Sequence, residues 1–367
     1  MLYKYLLDFG LNLEDIYEII NSYGVINLSY DTLYKKTVNV CNYFIEIGFN
    51  KMEIGKIIQK FPSVCTYDIL NIENKINDMI QLKYKFIDIK NMIKYFPQIL
   101  GLSTKNKKKK IDDLISLGFS YNEVIKITKA YASLYGYDIK YLKNKINELI
   151  SFGYCEKEIL KMIKGYPQIL GLSLDYLNKK KNELNELGFK DKEVLKLGWK
   201  NPGLYGYKKD NIQKRILNIC ELGYSYEATI RMVVTFPTLL TLSIGNMKQK
   251  MEDLISLGYS YKEVIIITKK FPQIYSSSID DIREKKEFYD FLGIGFIILL
   301  EPRRLIQSLN LSYARYMFLL SIGIHINKDN FRKLFIEEKQ FIKLYNKTNE
   351  DIINQYCNID NNKRKSR

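Results

Sequence analysis

Histidine and tryptophan are almost absent from the sequence, with one residue of each among 367. The single histidine, His325, has no cysteine or carboxylate beside it at the spacing of metal ligands, so we expect no metal site. The five cysteines are far apart and form no C-x-x-C pair, which excludes a zinc ribbon and a disulfide framework. Isolated cysteines are typical of a reducing, intracellular compartment.

Long apolar runs and enzyme motifs are also missing. The longest apolar stretch, residues 294–300, is far shorter than the roughly 18 residues that a membrane span requires. The N-terminus has neither a transit-peptide nor a signal-peptide pattern. G-x-S-x-G, P-loop, H-E-x-x-H and nucleotide-binding glycine motifs are absent, so we expect no enzyme, no cofactor and no small-molecule substrate.

Acidic residues are scarcer than basic residues. The chain has 57 Lys and Arg residues against 41 Asp and Glu residues, which gives a formal net charge of +16. Apolar residues make up 46% of the chain, an ordinary value for a folded protein. A folded chain this basic has nucleic acid or an anionic surface as its expected partner.

The few prolines define a repeat. The seven prolines are Pro62, Pro97, Pro167, Pro202, Pro237, Pro272 and Pro302. The first six fall on positions 35 residues apart, and Ala132 occupies the one such position that has no proline. The last interval is shortened to 30 residues. Glycines follow the same period from Gly118 to Gly293. A period between 20 and 50 residues is typical of a solenoid.

Each repeat predicts a pair of helices. Six residues after most proline positions stands a Ser or Asp suited to capping a first helix, although Lys208 departs from this pattern. The first helix would end at the periodic glycine, which suits a left-handed C-terminal cap. A second helix follows at once, with capping boxes such as Ser120–Glu123, and ends before the proline. The proline itself can start a short third turn.

These patterns predict an all-α fold, namely an α-solenoid of about eight 35-residue helix-pair repeats. We expect the protein to be a monomer. We expect residues 1–24 to form a half-repeat cap, in which Tyr23 and Gly24 replace the aromatic-proline pair. Residues 25–345 would form the array. Residues 346–367 would form a basic, disordered tail.

One column of the repeat is always basic. Thirteen residues after each proline position stand the members of the Lys/Arg column: Lys75, Lys110, Lys145, Lys180, Arg215, Lys250, Lys285 and Arg315. Stacked helices pack about 8–10 Å apart and phosphates recur every ~3.4 Å along a strand, so one cation per repeat suits a phosphate backbone. We therefore predict that this column binds nucleic acid, together with Arg303 and Arg304.

The alternative is a solvated face of salt bridges. Acidic residues stand three positions after several members of the column, as in Lys110 with Asp113 and Lys145 with Glu148, and such pairs are weak. Arg215, Lys285 and Arg315 have no acid at that position. The sequence therefore predicts that these three are the freest to hold phosphate.

The proline-centred phrases resemble a known family. FPQILGLS (96–103) recurs as YPQILGLS (166–173), FPTLLTLS (236–243) and FPQIYSSS (271–278). Over nearly the whole chain, the sequence resembles the mitochondrial transcription termination factor (mTERF) family. The resemblance implies two α-helices and a 3₁₀ turn per repeat, stacked into a superhelix, right- or left-handed, with a basic concave groove.

The resemblance also implies a function. Members act in transcription regulation or termination, ribosome assembly and RNA metabolism in organelles. The resemblance favours double-stranded DNA slightly over RNA as the partner. It places the protein in an organelle matrix such as the mitochondrion, with the cytoplasm or nucleoid as the alternative because no transit-peptide pattern is present. The rival hypothesis is a helical-repeat scaffold that binds an acidic protein partner.

Overall fold

A computed structural model describes residues 1–22 and 25–357. In these residues it contains α-helices and short 3₁₀ helices and no strand, which confirms the all-α prediction. The α-helices are α1 (Leu2–Leu7), α2 (Leu13–Asn21), α3 (Tyr30–Glu46), α4 (Lys51–Lys60), α5 (Ile69–Gln81), α6 (Phe86–Tyr95), α7 (Thr104–Ser116), α8 (Tyr121–Ala130), α9 (Ile139–Phe152), α10 (Glu156–Gly165), α11 (Leu174–Glu186), α12 (Asp191–Lys200), α13 (Lys209–Cys220), α14 (Tyr226–Thr235), α15 (Ile244–Ser256), α16 (Tyr261–Lys270), α17 (Ile279–Phe291), α18 (Ile297–Leu300), α19 (Leu309–Ser321), α20 (Glu338–Tyr345) and α21 (Asn349–Tyr356).

The helices alternate as the repeat predicts. The odd-numbered helices from α3 to α19 are the first helices of successive repeats, and the even-numbered helices from α4 to α18 are the second helices. A 3₁₀ helix starts at every proline position, including Ala132: Pro62–Thr66, Pro97–Gly101, Ala132–Gly136, Pro167–Gly171, Pro202–Gly206, Pro237–Leu240, Pro272–Ser276 and Pro302–Ile306. A ninth, Phe331–Leu334, follows α19. The eight repeats of the prediction are confirmed, and the shortened last repeat has a second helix of only one turn.

Local chemistry sets the helix ends. The Ser103 side chain accepts a hydrogen bond from the backbone of Asn106 at the start of α7, and Ser120 with Glu123 forms the predicted capping box of α8. The periodic glycines have positive φ where first helices end. Lys83, the one exception in that column, has a φ of 69° and therefore adopts the same left-handed conformation with a side chain present.

The chain divides into two compact units. The first comprises Met1–Asn182 with Val194–Gly206, and the second comprises Glu183–Glu193 with Tyr207–Arg367. In the first unit, second helices bury residues such as Ile57 and Ile127. In the second unit, Ile267 occupies the corresponding position and is equally buried. Each unit therefore has a core built from the same faces of its repeats.

Buried hydroxyl groups alternate with apolar groups along the array, which gives it a second period of 70 residues. Tyr84 hydrogen-bonds Thr128 and Tyr135 at 2.5 and 2.7 Å. Equivalent groups lie in the second unit, where Tyr224 bonds Thr268 and Tyr275. Midway between these two clusters, Tyr154 and Tyr205 hydrogen-bond one another. The alternate repeats carry apolar residues at these positions, namely Phe49, Ile93 and Leu100, then Phe119, Ile163 and Leu170, then Phe189, Val233 and Leu240.

The predicted tail is corrected by the structure. Asn349–Tyr356 form α21, whose Ile352 is fully buried, so this part of the segment 346–367 is helical because it has an apolar face to bury. Tyr356 Oη also donates a hydrogen bond to Ser321 Oγ of α19 at 3.0 Å. At the other end of the chain, residues 2–21 form two short helices. Tyr23, Gly24 and residues 358–367 lie outside the described residues.

Candidate nucleic-acid interface

The Lys/Arg column faces inward, where it links successive repeats. Lys75 Nζ, in α5, donates a hydrogen bond to Leu102 O at 3.1 Å, and Leu102 directly precedes the cap of α7. Lys145 donates to Leu172 O at 3.3 Å and Lys250 to Ser277 O at 2.7 Å, each 27 residues ahead. Lys110 donates to Tyr137 O in the same way. These ammonium groups satisfy carbonyl oxygens at the ends of the 3₁₀ helices.

The three residues predicted to be most available to phosphate also donate hydrogen bonds to carbonyl oxygens. Arg215 Nε donates to Leu239 O at 3.0 Å, and Lys285 Nζ donates to Leu305 O at 2.8 Å. Lys285 also pairs with Asp281 at 2.6 Å. Only 3% of the Lys285 surface is exposed, so the prediction that it offers a free charge is wrong.

Arg315 is the most extensively bonded member of the column. It is 3% exposed, and its guanidinium donates to Leu334 O at 3.0 Å, to Ile336 O at 2.7 Å and to Asn349 Oδ1 at 2.9 Å. Its guanidinium carbon also lies 4.7 Å from the ring centroid of Phe341. Burial lowers the pKa of Arg315 from its ordinary value. Its role is to fasten the segments after α19 to that helix.

Burial limits how much charge the rest of the column presents to solvent. Lys110 is only 6% exposed, and its burial lowers the pKa of its ammonium group. Lys145 pairs with Glu148 at 2.7 Å, as the alternative hypothesis predicted. Lys180 is half-buried, with its Nζ 5.6 Å from the ring centroid of Tyr176. The position borders the apolar stripe, and a long aliphatic stem carries the charge across it.

Arg303 and Arg304 differ from one another. Arg304 is half-buried, bonds Glu301 at 2.5 Å and places its guanidinium carbon 4.5 Å from the ring centroid of Phe335. Arg303 is exposed and lies 3.3 Å from the same carboxylate. Glu301 therefore neutralises part of this pair, and only Arg303 is presented to solvent.

The helix period places the consecutive lysines of α7 on different faces of the helix. Lys105, Lys108 and Lys109 are exposed, whereas Lys107 is fully buried. Lys107 stands where other first helices carry Ile72, Leu142, Leu177, Ile212, Met247 and Ile282. Its Nζ has no hydrogen-bond partner among the described residues. Burial, assisted by the charge of Lys75 and opposed by Asp78, lowers the pKa of Lys107 to about 8.

A different set of lysines lies on the solvent side of the first helices. They stand one or two positions before the Lys/Arg column, and we call them the first-helix lysines: Lys108, Lys109, Lys143 and Lys179 in the first unit, and Lys214 and Lys248 in the second. All six are exposed, and none forms an ion pair with a residue that the structure describes. Sequence reasoning missed them as a set because their columns also contain Glu73, Asn178 and Gln213.

Some charged side chains of the second helices form ion pairs between repeats. Lys94 pairs with Glu53 at 2.6 Å, and Lys164 pairs with Glu123 at 2.6 Å, each across 41 residues. The Lys164 ammonium lowers the pKa of Glu123 to about 2 by its hydrogen bond, together with the backbone of Ser120. These pairs join the second helices of neighbouring repeats.

Tyrosines at the start of second helices also bind between repeats. Tyr121 Oη donates to Leu82 O at 3.1 Å, Tyr226 to Leu187 O at 3.0 Å and Tyr261 to Leu222 O at 2.9 Å. Each carbonyl belongs to the first helix of the repeat before, at the last residue ahead of the left-handed position where that helix ends. The hydroxyl groups of these rings are therefore occupied, although the rings are partly exposed.

A family comparison agrees with this repeat geometry. The model of the mTERF family matches residues 2–150, 71–185 and 144–291, in three overlapping segments. The chain belongs to the mTERF family. Members of this family are non-enzymatic helical-repeat proteins that bind nucleic acid and act in transcription termination, typically in organelles. No curated protein matches the chain.

The described residues lack two other classes of site. No helix in residues 1–22 and 25–357 combines the length and hydrophobicity needed to cross a membrane. The same residues hold no group of three or more His, Cys, Asp or Glu side chains arranged to bind a metal ion.

Proposed function

We propose that this mTERF-family chain binds nucleic acid through the first-helix lysines and acts in transcription termination or a related step of transcription or RNA metabolism. The observation that carries the proposal is the set of six exposed lysines, none of which is neutralised by a carboxylate of the described chain. Such charges are available to replace the counterions of a polyanion. The members of the Lys/Arg column, by contrast, hold the repeats together.

Each unit carries its own set of these lysines. In the first unit, Lys108, Lys143 and Lys179 lie on three successive first helices, α7, α9 and α11. Helices that pack about 8–10 Å apart present such charges at every second or third phosphate of a strand. Phosphate contacts of this kind are independent of base sequence. The family resemblance makes duplex DNA the first substrate to test, with RNA beside it.

Replacing Lys108, Lys143 and Lys179 together with glutamine is expected to weaken binding to a random duplex at least tenfold at 100 mM salt, since three phosphate contacts are lost. Fluorescence anisotropy with labelled duplex DNA and single-stranded RNA measures the effect. The fold should persist because the three side chains are exposed and form no ion pair with a described residue.

The matched control removes the same charge from the second helices of the same unit. Lys56, Lys126 and Lys196 are exposed and lack ion pairs in the described part of the chain. Their triple replacement by glutamine should change the affinity less than threefold. Equal losses in both variants would reduce the interaction to net charge alone. Absence of any binding by the wild-type protein at 50 mM salt would overturn the proposal.

A further inference from the structure

A notch in the first unit lies where other repeats hold a tyrosine ring. It has a volume of about 270 Å³ and lies between the end of α7 and the helices α9 and α10. Its wall is apolar, formed by Leu117, Ile146, Ile159 and Leu160. Lys143, one of the first-helix lysines, lines it as well.

The chain itself shows what fits such a notch. The position that starts α10 is Glu156, whereas Tyr121, Tyr226 and Tyr261 occupy it in three other repeats. In the second unit, Tyr261 lines the equivalent notch, which measures about 200 Å³ and contains Leu222 and Lys248 at the positions of Leu117 and Lys143. The Tyr261 ring thus takes up part of this space and its hydroxyl donates to Leu222 O, whereas the notch at Glu156 is larger and has no ring at this position.

The notch at Glu156 keeps the carbonyl oxygen but lacks the ring. Leu117 O corresponds to Leu82 O, Leu187 O and Leu222 O, each of which accepts a hydrogen bond from a tyrosine. Within the described chain, no residue donates a hydrogen bond to Leu117 O. The site therefore offers an acceptor and an apolar wall to a planar group that carries a donor.

We propose that the notch lined by Leu117, Lys143 and Glu156 binds one unpaired nucleobase. A base has the flat ring that the apolar walls require, and an N–H group to donate to Leu117 O. The carboxylate of Glu156 and the amide of Asn147 lie at the same notch and suit an exocyclic amino group. The exposed ammonium group of Lys143 suits the phosphate attached to the base.

The size of the notch agrees with a single base. Sites for drug-sized ligands run from about 300 to 1,000 Å³, and this notch lies just below that range. The proposal rests in part on the proposed function, because Lys143 is one of the phosphate-binding lysines. The base comes either from a free nucleotide or from an unpaired position of a bound strand.

The test uses the full-length protein and two probes. The first is adenosine 5′-monophosphate alone, and the second is a single-stranded oligonucleotide containing one fluorescent 2-aminopurine. For a base of a bound strand, we expect the 2-aminopurine emission to change on saturation with wild-type protein, whereas millimolar adenosine 5′-monophosphate has little effect on it. For a free nucleotide, the monophosphate would bind by itself and abolish the change.

The decisive variant is Glu156→Tyr, which supplies the ring that three other repeats carry. It should abolish the 2-aminopurine response, or nucleotide binding, while anisotropy with duplex DNA changes less than twofold. Glu156→Asp, which copies Asp191 at the same position of α12, leaves the notch open and should keep the response. An undiminished response in a folded Glu156→Tyr protein would overturn the proposal.

A second measurement remains informative if that variant does not fold. Photo-crosslinking of wild-type protein with a single-stranded oligonucleotide that contains one 8-azidoadenosine, or with 8-azidoadenosine 5′-monophosphate if the free nucleotide binds, should label residues 143–160 in peptide mapping. Labelling elsewhere alone would contradict the proposal. Duplex binding without a 2-aminopurine response or crosslink would reject the notch and leave the proposed function intact. Nucleotide binding without binding of any oligonucleotide would do the reverse.

Discussion

Replacing Lys107 with methionine is expected to stabilise the protein at pH 7 by about 3 kcal/mol. Methionine is the residue at the equivalent position 247 of α15, so an apolar side chain of this size fits the site. The wild-type ammonium group is fully buried without a hydrogen-bond partner among the described residues. The native state must therefore hold a buried charge without a hydrogen-bond partner whenever Lys107 is protonated.

The pH dependence of this effect has a definite sign. The pKa of Lys107 is about 8 in the folded chain, against about 10.4 for an unfolded lysine. Between these values the unfolded state binds more protons, so this residue makes the wild-type protein more stable as the pH rises. The advantage of Lys107→Met should therefore be constant below pH 8 and shrink between pH 8 and 10.

Urea-induced unfolding of both proteins from pH 6 to 10 measures this difference, and titrations common to both proteins cancel. The matched control is Lys108→Met, at the exposed neighbouring position, which should change the free energy of unfolding by less than about 0.5 kcal/mol at every pH. A Lys107→Met protein that is less stable than the wild type at pH 7, or whose advantage is the same at pH 7 and pH 10, would refute the account of this residue.

Replacing Arg315 with methionine is expected to destabilise the protein by about 3 kcal/mol. The substitution keeps the apolar stem but removes the donors for Leu334 O and Ile336 O. Buried carbonyl oxygens that lose their donors incur their full desolvation cost. This role differs from the sequence prediction, in which Arg315 is free to hold phosphate.

Arg303→Met is the control for this change, since Arg303 was predicted to share the same role. Its guanidinium is exposed and lies 3.3 Å from Glu301, and such surface pairs contribute less than about 1 kcal/mol. Urea-induced unfolding followed by circular dichroism measures both variants. Equal stabilities for Arg303→Met and Arg315→Met would mean that Arg315 is no more important to the fold than a surface charge.

The architecture follows from the sequence because the same local signals recur at a fixed period. Proline cannot continue a helix, and the serine six residues later caps the next one, as Pro97 and Ser103 do before α7. The helix Asn349–Tyr356 was missed because it lies beyond the last repeat, where no periodic signal supports it. Its short apolar face becomes visible only through its packing against α19.

The site was harder to predict, since the sequence does not show which way a long side chain points. A lysine beside the apolar stripe can extend into solvent, or across the stripe to a carbonyl oxygen. Lys285 and Arg215 do the latter, and the constancy of their column reflects this contact between repeats. A contact between repeats must recur in every repeat, whereas a contact with a flexible polyanion tolerates Glu73 or Gln213 among the lysines.

The dependence of nucleic-acid affinity on salt tests the central claim most directly. If all six first-helix lysines engage B-DNA, the logarithm of the association constant should fall against the logarithm of the salt concentration with a slope of about −5. The Lys108, Lys143 and Lys179 triple variant should give about −3, since three contacts are lost. A wild-type slope shallower than about −2, or identical slopes for the two proteins, would contradict the claim that these lysines hold the phosphate backbone.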